Sequence, residues 1–400
     1  MRRVFAVAIG KLLRFLLRLI RRGGGSALPG LVSDKIYPSL LPSALESLPM
    51  GVVVVSGSAG KSSTTFQLVQ LLKRHGLRVF TNPSTANIRQ GLVAAVLKES
   101  NLLGKIDYDI AVLELDEGHG AALSDEFNID LAVLTNVLSD QLDRFVDPEL
   151  VAEKLSKIAQ RSTQLIINSD DKNLAQFADN HADAIGYGLS DDCLAETDAP
   201  EYALNFGAHP IIEKRVLVQR DKSVLMAHES YQTPVASWEL ALNFAAALLA
   251  ASKLVELNPE VVREQFASGT GVFARNEKAL ILGREVNLRL VQNPTSFQLN
   301  LDELSGSENP LMLMAGRDIH DPSWLWTVDF TGLKKVEVVA GYNAYELALR
   351  LRVSGVEVVE VIPGIAESAE RFFALPGQAP TILFSADAMR RFRRHTKVAK

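Results

Sequence analysis

Gly57, Ser58, Gly60, Lys61, Ser62 and Ser63 follow the apolar run 52–55 in the stretch VVVVSGSAGKSSTT, residues 52–65. Glycines, an ammonium and hydroxyls in that order suit the binding of a phosphorylated ligand. The glycines let the main chain turn tightly. The N–H groups of a helix start beyond them are unpaired and lie at the positive end of the helix dipole. Lys61 adds a point charge, and Ser62 or Ser63 offers a hydroxyl to a phosphate-bound magnesium ion. The order is G-x-x-G-K-S-S and departs from the usual Walker spacing, because position 55 is Val. The plainer alternative is a strand-to-helix turn with a solvated lysine. A second group, Glu114, Asp116 and Glu117, closes the apolar run 109–115. Carboxylates crowded at one spot attract a cation; a solvated strand end is the alternative. His119 reads as a surface or helix-start histidine, and Trp324 and Trp326 read as core residues.

These groups need a scaffold. Residues 52–55 have the character of a short buried strand, and Phe66, Leu68, Val69, Leu71 and Leu72 that of a helix face ending near Gly76. Apolar runs at 109–115, 131–137 and 164–170 read as strands. A helix over 148–161 separates the last two, with Asp147 as N-cap and Pro148 in its first position. Such alternation predicts a parallel sheet with crossover helices, whose ligands bind at the carboxyl ends of the strands. Polar residues at those ends are therefore candidates: Thr135, Asn136 and Asp140, and Asn168, Asp170 and Asp171. Residues 188–237 predict only short strands and loops. A helix is expected over 238–257, and a second α/β region from about residue 271, with strands at 287–292, 310–316, 335–341, 356–362 and 380–386 and a helix over 343–355. The domain boundary falls near 268.

Composition narrows the class. The chain has 400 residues, 47% apolar and 22% charged, as in globular proteins. A net charge of −5 gives no case for nucleic-acid binding. The one cysteine, Cys193, excludes an internal disulfide and a multi-cysteine zinc site, and fits a cytoplasmic setting. The first 22 residues carry seven basic residues and no acid. Lys11, Arg14, Arg18 and Arg21 share one helical face, and the segment is too charged to span a membrane. Two readings stand: a basic amphipathic helix at an anionic membrane surface, or a helix packed on the protein's own surface with its arginines in water.

Several stretches resemble the Mur ligases, and among them the MurT-type subunits of lipid II isoglutaminyl synthase. They are RRGGGSALPG (21–30), SGSAGKSSTT (56–65), NPSTANIRQG (82–91), LELDE (113–117), TNVLSDQLDRF (135–145), NSDD (168–171) and HDPSWLWTVDF (320–330). The resemblance implies an N-terminal segment over 1–43, a P-loop Mur ligase central domain with a mostly parallel sheet over 44–268, and a smaller Rossmann-like α/β C-terminal domain over 269–400. It implies ATP and magnesium, with Gly57, Ser58, Gly60 and Lys61 around the phosphates, Ser62 and Glu114 on the metal, and Asn168 and Asp171 at the adenosine. For those last two a plain turn is the alternative. Arg275 would clamp a phosphate. Asp321, a natural helix N-cap before Pro322, would complete the Cys-His pair of a GatD-like glutaminase in a heterodimer. The implied reaction converts the D-glutamate α-carboxyl of lipid II to D-isoglutamine through an acyl phosphate, with ammonia from that partner. The implied setting is cytoplasmic, and the basic N-terminal helix would suit a peripheral position at the inner face of the plasma membrane.

The sequence also departs from that pattern. No four-cysteine ribbon is present, so zinc is not expected. Ser58-Ala59 stands where relatives have Thr-Asn, Ala274 where a glycine usually precedes the arginine, Pro322 where a valine follows the aspartate, and Gln141 where other Mur ligases have a metal-linked histidine. Two rivals remain: a stand-alone Mur or folylpolyglutamate-type amino-acid ligase, and a nucleotide-binding subunit without turnover.

Overall fold

A computed structural model of the full chain describes residues 1–20, 27–83, 88–137, 148–181, 183–194, 213–234, 238–267, 275–291, 297–298, 300–301, 304–319, 325–326, 328–377, 380–396 and 398. They fall into two compact units, one up to residue 267 and one from residue 275 onward.

The first unit is built on a nine-stranded sheet. Its strands are β1 (Val52–Ser56), β2 (Val79–Thr81), β3 (Ile110–Glu114), β4 (Ile129–Leu134), β5 (Ser162–Asn168), β6 (Ile185–Leu189), β7 (Lys214–Val218), β8 (Val224–Met226) and β9 (Glu229–Tyr231). Their spatial order is β2-β3-β1-β4-β5-β6-β7-β8-β9. Pairing is parallel from β2 through β7, and β8 and β9 add an antiparallel extension. The chain leaves β1 on one side for β2 and β3 and returns on the other for β4. The carboxyl end of β1 is thus where the strand order reverses, the place where open α/β sheets bind ligands.

β1 is buried on both faces, which explains its unbroken run of valines. Val52 and Val54 pack with Leu92, Val96 and Leu155, whereas Val53 and Val55 pack with Leu68, Leu72 and Leu248. The helices of the first unit are α1 (Arg2–Ile20), α2 (Leu28–Ile36), α3 (Leu40–Leu45), α4 (Lys61–Arg74), α5 (Arg89–Glu99), α6 (Glu117–Leu123), α7 (Pro148–Gln160), α8 (Lys172–Ala175), α9 (Asp191–Leu194), α10 (Trp238–Leu254) and α11 (Pro259–Ala267). α4 and α10 cover one face of the sheet, and α5 and α7 the other.

The second unit has a six-stranded sheet in the order β10-β11-β15-β12-β13-β14. The strands are β10 (Arg275–Ile281), β11 (Arg284–Leu290), β12 (Leu311–Met314), β13 (Lys335–Ala340), β14 (Glu357–Ile362) and β15 (Thr381–Phe384). Only the β10–β11 hairpin is antiparallel. Helices Ala344–Val353, Ile365–Phe373 and Ala386–Thr396 complete the unit.

Three expectations are corrected. The strand read over 131–137 stops at Leu134, because Thr135 and Asn136 turn aside to bind the glycine turn. Trp326 is half-exposed with the Arg350 guanidinium 5.4 Å from its ring, so a cation–π contact replaces core packing. Trp324 lies outside the described residues. Among the basic side chains of α1, Arg3 and Lys11 are bonded to the body and not left in water. Arg3 Nη2 donates to Gly104 O at 3.0 Å and Lys11 Nζ to Ser100 O at 2.6 Å, drawing the helix onto the body. No helix among the described residues is long and apolar enough to cross a membrane.

Candidate active site

β1 delivers the chain into the glycine turn, where two glycines are sterically required. Gly57 has φ +130°, and a Cβ on it would stand 2.2 Å from Thr135 Oγ1. Gly60 has φ +83° as the N-cap of α4, and a Cβ there would stand 2.2 Å from Asn243 Oδ1 on α10. Both positions combine a left-handed backbone with a filled neighbourhood, which only glycine tolerates.

The turn is latched to the end of β4. Ser58 N donates to Asn136 O at 2.9 Å, Ala59 N to Asn136 Oδ1 at 2.8 Å, and Thr135 Oγ1 to Ala59 O at 2.6 Å. The first bond of α4 runs from Thr64 N to Gly60 O at 2.9 Å. The amides of Lys61, Ser62 and Ser63 therefore head the helix ahead of that bond, where an anion is favoured. Ser58 braces the turn through its amide, whereas the amides of residues 61–63 belong to the helix start.

Lys61 and Ser62 each meet a carboxylate of the β3 end. Lys61 Nζ lies 2.8 Å from Glu117 Oε1 and also donates to the carbonyls of Gly57 and Ser58. Ser62 Oγ donates to Glu114 Oε1 at 2.8 Å in a buried contact. Glu114 is held in turn by Asn82 at the end of β2, which accepts from Glu114 N at 3.0 Å and donates to Glu114 O at 2.9 Å. Ser63 is buried beside them.

The three acids do not form one metal nest. Asp116 caps α6 by accepting from the amides of Gly118 and His119, and its carboxylate lies 3.0 Å from His119 Nδ1. Glu117 serves Lys61, and Glu114 serves Ser62. Among the described residues no three His, Cys, Asp or Glu side chains converge as a metal site. Ser62 and Glu114 nevertheless fit a magnesium ion, which takes one or two protein oxygens and completes its shell with phosphate oxygens and water. His119 is half-exposed at a helix start, as its position implied.

Asn168 to Asp171 form a braced turn at the end of β5. Asn168 Oδ1 accepts from Asp170 N at 3.1 Å. Asp171 caps α8 and accepts from Val137 N at 2.6 Å, directly after the residues that hold the glycine turn. Asp170 accepts from Leu189 N and pairs with Lys214 at 2.6 Å. Burial and the adjacent carboxylates of Asp171 and Asp170 raise the pKa of Tyr187 above its ordinary value. Its hydroxyl donates to Thr135 O at 3.3 Å. One series of hydrogen bonds thus joins the glycine turn, residues 135–137 and Asp171.

Asp321, Asp140 and Gln141 lie outside the described residues. Arg275 opens β10 of the second unit, and its side chain is likewise outside them. Sequence reasoning overlooked Asn243, which lies far along the chain on α10, and Asn82 as the brace of Glu114. A surface depression of about 730 Å³, lined by residues that include His181, Glu213 and Lys253, lies near the amino ends of β5 to β7 and takes no part in this site.

The Mur ligase middle domain family matches residues 55–251, and the MurT ligase C-terminal family matches residues 290–383. The lipid II isoglutaminyl synthase subunit MurT of Streptococcus pneumoniae is 26% identical, over 84% of each chain. That of Staphylococcus aureus strain COL is 24% identical, over 90% of each. MurF ligase from Thermotoga maritima, solved in complex with ADP, superposes with a TM-score of 0.65 at 19% identity, covering 91% of this chain and 83% of its own. Folylpolyglutamate synthase of Mycobacterium tuberculosis superposes with a TM-score of 0.63 at 16% identity, covering 93% and 99%. With both of its units matched in chain order, the protein belongs to the Mur ligases as a MurT-like member of that family.

Proposed function

We propose that this chain is the ligase subunit that amidates the D-glutamate α-carboxyl of lipid II, using ATP, magnesium and ammonia released by a GatD-like glutaminase in a heterodimer. The observation that carries the reading is the Ser62–Glu114 contact of 2.8 Å, one residue from Lys61 at the head of α4. An ammonium, helix amides and a hydroxyl–carboxylate pair meet there, as phosphoryl transfer requires. The MurT relatives, named as subunits of lipid II isoglutaminyl synthase, supply the substrate class.

In this reaction a carboxylate oxygen attacks the γ-phosphorus of ATP and ADP departs, leaving an acyl phosphate. Ammonia then attacks the acyl carbon, inorganic phosphate departs, and the nitrogen loses one proton to become the amide. Lys61 and the amides of residues 61–63 hold the phosphoryl oxygens as charge moves between them. Ser62 and Glu114 would hold the magnesium ion, which supplies charge neutralisation at the phosphates. Asn168 and Asp171 are assigned to the adenosine side, with Asp171 acting through its grip on Val137. Arg275 is assigned to a phosphate, and Asp321 to orienting the partner's catalytic histidine. The acceptor places the work at the cytoplasmic face of the membrane.

The test is a mass-spectrometric assay of the purified chain with ATP, magnesium, lipid II and either ammonium or an amino acid. Amide-for-acid exchange with ammonium supports the proposal. Amino-acid addition, or nucleotide binding without product, overturns it in favour of a stand-alone ligase or a subunit without turnover.

A further inference from the structure

Helix α1 is fixed to the first unit by its small residues. Ala6 and Val7 are fully buried, and Ser33 Oγ donates to Ala6 O at 2.9 Å. A Cβ on Gly10 would stand 2.2 Å from Ser33 Oγ and 2.7 Å from a Leu97 methyl, so the helix lies close against α2 and α5. The face turned outward is apolar. Phe5, Leu12 and Phe15 are 60%, 59% and 60% exposed, and Leu16 is 44% exposed. With exposed Ala8 they follow the helical repeat as one continuous stripe. Arg3 and Lys11 grip the backbone at Gly104 and Ser100. The turn between those two carbonyls exposes Leu102 at 61% and Leu103 at 56%. Two elements held together by hydrogen bonds thus both present bare apolar side chains to solvent, leucine and phenylalanine from α1 and leucine from the turn.

We propose that this surface seats the protein on a bilayer rich in anionic phospholipid, with α1 lying in the interfacial plane. Charge selects this occupant. The first 22 residues carry seven positive charges and no acid, and removing those seven from the net −5 leaves the rest of the chain at −12. By net charge, an anionic leaflet is therefore attracted by this segment and repelled by the remainder of the chain. A second copy docked through the same helix would bring two such basic segments together and be opposed by their repulsion. An exposed apolar stripe on a segment rich in Lys and Arg is the pattern of helices that lie in a membrane interface. This inference is independent of the ligase reading, because lipid binding by α1 requires no turnover.

The test is flotation of the full chain with vesicles of phosphatidylcholine alone or mixed with phosphatidylglycerol. Binding to the anionic vesicles, weakened by added salt and about tenfold or more by combined Phe5→Ser, Leu12→Ser and Phe15→Ser, is the expected result. These side chains are largely exposed, so thermal unfolding of the triple variant should match the parent chain and exclude misfolding as the cause. A Leu102→Ser, Leu103→Ser variant should weaken binding through the second element. Failure of the parent chain to float with anionic vesicles, equal binding to neutral ones, or full binding by the triple variant overturns the proposal. So does a parent dimer that the triple substitution dissociates.

Discussion

Lys61 and Glu117 form a buried ion pair, with Nζ 2.8 Å from Oε1, the carboxylate side chain fully buried and the lysine 13% exposed. Glu117 Oε2 has no hydrogen-bond partner. The lysine that defines the phosphate turn is thus also the sole bonded partner of this carboxylate among the described residues. Removing either partner strands the other charge in the interior.

That coupling can be measured. Lys61→Ala should abolish turnover and also lower stability by about 3 kcal/mol, the usual cost of leaving a buried charge unpaired. Glu117→Gln added to Lys61→Ala should recover part of that loss. A double-mutant cycle read by denaturant unfolding is expected to give a coupling of about 1–3 kcal/mol. Additive effects would show that the pair does not contribute as described.

The glycine turn makes a second prediction. Gly60→Ala combines a φ of +83° with a Cβ 2.2 Å from Asn243 Oδ1, whereas Gly76→Ala at φ +89° meets nothing within 4 Å. Gly76→Ala should cost about 1 kcal/mol of backbone strain and leave nucleotide binding intact. Gly60→Ala should cost more and weaken ADP binding in calorimetry, since the clash displaces the head of α4. Equal costs and equal affinities would remove the steric argument.

Glu114 makes a third. Glu114→Gln keeps the shape of the side chain and can still accept from Ser62, but it removes the charge a magnesium ion needs. The magnesium concentration for half-maximal activity should rise at least about tenfold, while metal-free ADP binding changes little. Asn82→Ala should move the metal requirement in the same direction by a smaller factor, because it frees the backbone of Glu114 without removing its charge. An unchanged magnesium titration for Glu114→Gln would assign that carboxylate a structural role.

Much of this was readable in the sequence where the signal was local. Four valines running into two glycines and a lysine specified β1, the turn and α4, because burial on both faces, left-handed backbone and a helix start each leave a mark within a few residues. Most of the second sheet was legible for the same reason, as β12 to β15 are short apolar runs between turn residues, whereas β10 was not read and β11 was read late, at 287–292, because its charged and apolar residues alternate. β2 is only three residues long, and β7 to β9 alternate weakly, so neither stood out within its surroundings. Partnerships across the chain left no local trace. Nothing near Gly60 indicates that Asn243 will crowd it, and nothing near Glu117 distinguishes a lysine partner from a metal. The orientation of α1 was hidden likewise. Its arginines drew attention, but Ala6, Val7 and Gly10 decide which face is buried, and they do so because α2 and α5 supply a surface that accepts only small residues.

The most direct measurement follows the oxygen atoms. Lipid II labelled with oxygen-18 in the D-glutamate α-carboxyl, incubated with this chain, ATP, magnesium and ammonium, should yield an amide together with inorganic phosphate that carries one labelled oxygen, and Lys61→Ala should yield neither. Unlabelled phosphate accompanying the amide, or undiminished product from Lys61→Ala, would contradict phosphoryl transfer to the carboxylate at the head of α4.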